Sequence, residues 1–404
     1  MASSISWLDH DSIARERSLR LLSLFSEREA RDELGIGGIR DSIADQLFPG
    51  TSTIQTRLKY MLFVPWLYAS LESRGIAGSA FPTAGRQAES RLLSELIKNV
   101  PTDEWGVIGR EAGSALKRLP SSVYWAGMGA WGLRRFAGTQ QQYFAQAERI
   151  RALRKARRRR DDGEEHDGDA PGSAWQSRLI ELMPKAFPDG ADLSLTRDES
   201  ALLLDQWRLA QPDSLLTWLA LDAAKTGNLP QADWIWAHPR AAEFPWHIRS
   251  LLEHARRFSA LVEGAALLYN LQLSELSKRE ERVEEYSGRL ADWSEQHAPQ
   301  LNGWDLSNFW PLVLNHGHRI SGETRKFVQS WLDAVVEAGR SVGELKVARQ
   351  LIEARETHLK DGRSRFTNRA ALNQWGGSSG LQRLGYRWPT ASSFLAEWHM
   401  GMNT

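Results

Sequence analysis

The sequence predicts a mostly α, multi-helical protein of two helical domains joined by a charged linker: residues 1–160, a linker at 161–174, and residues 175–404. Three observations carry this expectation. Apolar residues recur at spacings of three and four from Ile13 to Leu359, the period of one helix face. Alternating runs of β-branched residues, which would mark strands, are scarce. Residues 149–160 hold eight cations in twelve positions, and residues 161–169 hold six acids in nine, so this stretch has almost nothing to bury.

The elements follow in order. Residues 13–25 set Leu19, Leu22 and Phe25 on one side and Arg15, Arg17 and Arg20 on the other. Helices are then expected over 36–48, 53–74, 85–100, 102–119, 121–136 and 140–160, most of them separated by Pro or Gly. Beyond Pro171 the pattern resumes over 175–183, 196–210, 213–226 and a long stretch from 245 to 297. Thr196 and Glu199 have the spacing of a capping box ahead of Leu202, Leu203 and Leu204. Over 280–295, charges alternate in sign while Val283, Tyr286, Leu290 and Trp293 keep helical spacing, as in a helix with one packed and one wet face. Two more helices are expected over 323–339 and 342–360. The tail beyond Asp361 is looser, with Pro389 placed to open a last short helix.

Composition excludes several function classes. A chain of 404 residues that is 42% hydrophobic and 25% charged is globular rather than disordered. Its net charge of +1 argues against a uniformly basic nucleic-acid coat, so any such contact is local. The absence of cysteine removes disulfides, Cys-ligated zinc, iron–sulfur clusters and thiol nucleophiles, and fits a cytoplasmic protein. No leader-like start and no run near the roughly 18 apolar residues of a membrane span is present, so no membrane partner is expected. The 18 tryptophans are dispersed along the whole chain, the pattern of helix-packing anchors.

The sharpest local feature runs from Leu34 to Tyr60. Pro49 and Gly50 end one helix, Thr51, Ser52 and Thr53 offer hydroxyl caps to the next, and Arg57 and Lys59 fall in its first turns. Free amides at such a helix start, with Arg57 and Arg40 as counter-charges, make a candidate anion or phosphate site. The competing reading is a capped helix whose Arg pairs with Asp41 or Asp45. The second candidate is the basic run Arg154, Lys155, Arg157, Arg158, Arg159 and Arg160. It is placed either to touch a phosphate backbone or to neutralise the acids that follow. Arg387, in a locally basic tail, joins these candidates.

Other patterns carry less. His316 and His318 flank Gly317 with no carboxylate close in sequence, and no metal or cofactor is expected. Glu344 and Lys346, with Asp333 upstream, imitate part of a nuclease core but fall on helical spacing. Gly127, Gly129 and Gly132 match dinucleotide-loop spacing inside an aromatic helical run with no strand before it, where small residues let helices approach closely.

The segments Leu34-Gly35, Ile39-Arg40-Asp41 and Leu47-Phe48-Pro49-Gly50-Thr51-Ser52-Thr53, the Arg57 and Tyr60 that follow, and Phe63-Val64-Pro65-Trp66 resemble a bacterial family of about this length whose function is undefined. The tail Leu372, Trp375-Gly376-Gly377 and Tyr386-Arg387-Trp388-Pro389 is similar to that family's C-terminal signature. Gly385 stands where the family has an acid. The resemblance implies a bacterial protein whose genes lie beside helicases and nucleases in mobile or defence islands, and it carries over no catalytic residue. The expected function is therefore a non-catalytic, DNA-associated or adaptor subunit with DNA and a helicase or nuclease subunit as partners. A protein–protein scaffold and a metal-dependent hydrolase are the alternatives.

Overall fold

The structure is a computed structural model that describes residues 32–76, 78–111, 116, 118–158, 174–314 and 316–404, without the side chains of 148, 150, 151 and 153–158. Fifteen α-helices and no strand occur among the described residues, most of which are helical. The helices are α1 Gly37–Leu47, α2 Tyr60–Arg74, α3 Phe81–Asn99, α4 Pro120–Ala130, α5 Gln140–Arg158, α6 Ser177–Glu181, α7 Arg197–Ala210 and α8 Leu215–Thr226. They continue as α9 Trp246–Leu276, α10 Glu280–Leu301, α11 Leu306–Leu314, α12 Gly322–Ala338, α13 Lys346–Lys360, α14 Arg369–Asn373 and α15 Trp388–Met402.

Two compact units emerge, each from discontinuous chain. One combines Met1–Ile43 with Ser250–Leu384, and the other Ala44–Arg249 with Gly385–Thr404. This grouping differs from the expected division at 161–174. The physical reason is that Trp175, just after the charged run, is fully buried and stacks on Tyr68, with Trp125 and Tyr143 edge-on to it, all from before the run. Residues 159–173, which contain nearly all of the expected linker, lie outside the described residues, as does the helix expected over 13–25.

In the second of these units α2 is the centre. Tyr60, Met61, Leu62, Phe63, Val64, Trp66 and Tyr68 are all buried, so the helix is apolar on every side and is surrounded by α3, α4, α5 and α6. The C-terminal α15 packs on α7 and α8, with Trp398 against Trp207 and Trp131 edge-on to both Trp207 and Phe394. The expected packing role of tryptophan takes a specific form here. Three buried indole N–H groups find a carbonyl on another segment: Trp66 donates to Leu179, Trp131 to Pro49, and Trp398 to Ser200. In the other unit α10, α12 and α13 form the core, and Trp293 and Trp331 donate to the carbonyls of Ala260 and Leu261 on α9.

Several boundaries move for local reasons. The helix expected from 53 starts at Tyr60, because the Tyr124 hydroxyl takes the backbone N–H groups of Thr56 and Arg57 and holds this stretch in turns. Residues 102–111 are turns rather than helix, with Gly106 and Gly109 at positive φ. The stretch from 245 to 297 contains two helices, because Lys278 adopts φ 55° between α9 and α10. The glycine-spaced run is helical, in α4, and a Cβ at Gly127 would lie 2.3 Å from the Gly50 carbonyl oxygen. Gly127→Ala is therefore expected to cost about 1–3 kcal/mol of unfolding free energy, read from denaturant midpoints; an unchanged midpoint would show that the contact can relax.

Candidate functional site

The Leu47–Thr53 motif and the C-terminal Tyr386–Pro389 motif come together within one unit. Gly50, at φ 80°, presses on the Trp131 indole, where a Cβ would stand 2.5 Å from Nε1. The Phe48 and Trp388 rings lie 5.7 Å apart, and Thr390 donates its hydroxyl to the Ser52 carbonyl. Arg387, at φ 67°, pairs with Asp45 and donates to the Thr51 carbonyl at 2.9 Å. This joint links segments that are some of the most distant in sequence.

The hydroxyl cluster does not stand at a helix start. Thr51 is buried and donates to the Phe48 carbonyl at 2.6 Å, and the Ser52 N–H is taken by Gln55 Oε1. Thr53 is exposed in the turn, and α2 begins seven residues later, with Lys59 as an N-cap that makes no side-chain cap. The expected caps are thus corrected to a self-bonded turn, built because Pro49 and Gly50 reverse the chain before helical geometry can resume.

The two cations of this motif face carboxylates. Arg57 Nη1 donates to Glu104 Oε1 at 2.6 Å, and its Nε lies 3.0 Å from Glu397 Oε1 on α15. Glu397 also accepts the Leu58 N–H. Burial pushes the Glu397 carboxyl up to about 7, only partly offset by the Arg57 charge and the Leu58 N–H. Lys59 is buried, with Nζ 2.5 Å from Glu199 Oε2 and 2.7 Å from the Ser194 carbonyl. It also lies over the Phe63 and Trp66 rings. Glu199 completes the capping box with Thr196 at the start of α7, as its spacing predicts. The pair lines a cleft of about 650 Å³ with Phe63, Trp66, Phe187 and Asp192. Its lining carries four acids, Asp189, Asp192, Asp198 and Glu199, against two bases, Lys59 and Arg197, so the cleft does not favour an anion such as a phosphate.

Elsewhere, Arg40 is half-buried and pairs with its neighbour Asp41 at 3.1 Å. The side chains of Arg154, Lys155, Arg157 and Arg158 at the end of α5, and the whole of Arg159 and Arg160, lie outside the described residues. Sequence reasoning passed over a buried polar cluster in the other unit. Lys360 pairs with Glu33, which Arg365 also reaches at 2.9 Å, and Glu356 accepts from Tyr269, Ser364 Oγ and the Arg365 N–H. Burial lowers the Lys360 amine to about 8. Glu356 and Lys360 share a helix face, which was the available signal. Glu33 comes from far upstream and gave none. Among the described residues no group of acids and histidines is arranged to hold a metal ion, and no helix is long and apolar enough to cross a membrane.

The family profile of DUF6361, a family of unknown function, matches residues 2–400. The chain belongs to that family. No curated protein and no solved structure matches it. With membership of DUF6361 spanning nearly the whole chain, the joint between the two motifs belongs to the body of the family's domain rather than to an added segment.

Proposed function

We propose that the protein is a non-catalytic, DNA-associated or adaptor subunit of a bacterial defence or DNA-processing complex. It works in the cytoplasm and reaches the phosphate backbone through the cations at the end of α5. One observation carries the reading: eight cations and no acid fall in the twelve residues 149–160, a run that begins in the last turns of α5. The paired state of Arg57, Lys59 and Arg387 supports it, since those cations already face Glu104 and Glu397, Glu199, and Asp45. The bacterial setting and a helicase or nuclease partner rest on the resemblance of the two terminal motifs.

Replacing Arg154, Lys155, Arg157, Arg158, Arg159 and Arg160 by Gln is expected to weaken binding to all duplex sequences alike, because phosphate contacts carry no base information. The log–log salt slope should flatten by about one unit per lost contact. Deleting residues 161–169 should strengthen binding, because their acids compete for the same cations over distances a Debye length of about 8 Å does not screen. Affinities measured at two salt concentrations decide the matter. If neither change moves them, a protein–protein scaffold replaces this reading; metal-dependent turnover would replace it with a hydrolase.

A further inference from the structure

Trp105, like Trp246, departs from the packing role of most tryptophans: 65% of its surface is exposed. The turn that carries it is nevertheless held from several sides. Arg57 donates to the Trp105 carbonyl at 3.0 Å, and the Thr56 hydroxyl to the Gly106 carbonyl at 2.7 Å. Arg110 donates to the carbonyls of Val100, Pro101 and Glu104, and the Tyr60 hydroxyl accepts the Ile108 N–H. Gly106, at φ 102°, sits so close to Arg57 that a Cβ would fall 2.5 Å from its Cγ. A large aromatic presented on a braced turn loses little conformational freedom when covered, which is the physical profile of an interface anchor.

The surroundings indicate the partner. Ile54, also exposed, lies on the adjoining turn that Thr56 ties to Gly106. Asp103 and Glu111, on the same 102–111 turn segment as Trp105, are exposed and make no ion pair among the described residues, whereas Arg57 and Arg110 are turned onto carbonyls and Glu104. The exposed charges of the 102–111 segment that carries the aromatic are therefore negative. We infer that the Trp105 turn is a docking site for a protein segment that is apolar at its centre and basic at its rim. The inference goes beyond DNA contact and rests on the adaptor part of the proposed function.

The probe is a synthetic amphipathic helix of Leu and Lys, with a Leu and Glu counterpart of the same pattern. The Leu/Lys helix should bind the full chain, and Trp105→Ala should weaken it about tenfold or more. Asp103→Asn with Glu111→Gln should weaken it and flatten its salt dependence. Trp246→Ala, at another exposed tryptophan, should leave binding unchanged. Trp105→Ala should retain its helical circular dichroism and its affinity for DNA, which keeps this test separate from that of the basic run. Equal binding by wild type and Trp105→Ala, equal loss in Trp246→Ala, or equal binding of the Leu/Glu helix would each overturn the inference. So would a dimer in ultracentrifugation that Trp105→Ala dissolves, because that outcome assigns the surface to a second copy.

Discussion

Glu199→Ala is expected to lower the free energy of unfolding by about 3–5 kcal/mol, because it leaves the Lys59 ammonium buried without its counter-charge. Loss of the capping box at the start of α7 accounts for only about 1 kcal/mol of this. The remainder is the cost of an ammonium that burial deprives of water, with only the Ser194 carbonyl and two ring faces left to it. The pair itself need not be strongly stabilising, since two desolvated charges roughly offset their own attraction. Replacing both residues together, Lys59→Met with Glu199→Leu, should therefore recover most of the loss. Urea midpoints of the single and double variants check this. A double variant no more stable than Glu199→Ala would mean that the pair holds the cleft by shape rather than by charge balance.

That pair shows where sequence reasoning reaches and where it stops. Local chemistry is legible: the Thr196–Glu199 spacing announces the start of α7, and the recurrence of apolar residues announces nearly every helix. Steric limits on glycine are also legible, although the backbone that approaches Gly127 is the Gly50 turn rather than the neighbouring helix the spacing suggests. Pairing across the chain is not. Arg57 reads as a free cation at a helix start because nothing nearby in sequence announces Glu397, which lies in the last helix. The discontinuous units are hidden for the same reason, since periodicity describes one element and says nothing of which distant element covers it. The turn at 102–111 fails differently. Its apolar spacing suits a helix, yet Gly106 and Gly109 at positive φ and the carbonyls taken by Arg57 and Arg110 favour turns. Trp105, expected to be buried, is presented by that substitution of one local structure for another.

The same buried carboxylate sets a pH dependence of opposite sign to ordinary acid unfolding. Glu397 is only 8% exposed, and burial pushes its carboxyl from about 4.5 in the unfolded chain up to about 7 in the folded one. The folded state therefore holds its proton more tightly. The stabilisation this gives is fully present below about pH 4.5 and is lost as the pH rises through 7. At about 1.4 kcal/mol per pH unit the full swing is roughly 3 kcal/mol, an upper figure because water reaches part of the group. Glu397→Gln keeps an oxygen for the Leu58 N–H while fixing the side chain in its neutral state, and Arg57 retains Glu104. The variant should match wild type near pH 5 and exceed it by about 2–3 kcal/mol at pH 8. Denaturant midpoints of the two proteins across that range read the difference directly, with the shared titration of other groups cancelling. A variant that loses stability relative to wild type as the pH rises would show that the Arg57 charge outweighs burial, and that the joint between the turn before α2 and α15 is held by the ion pair itself.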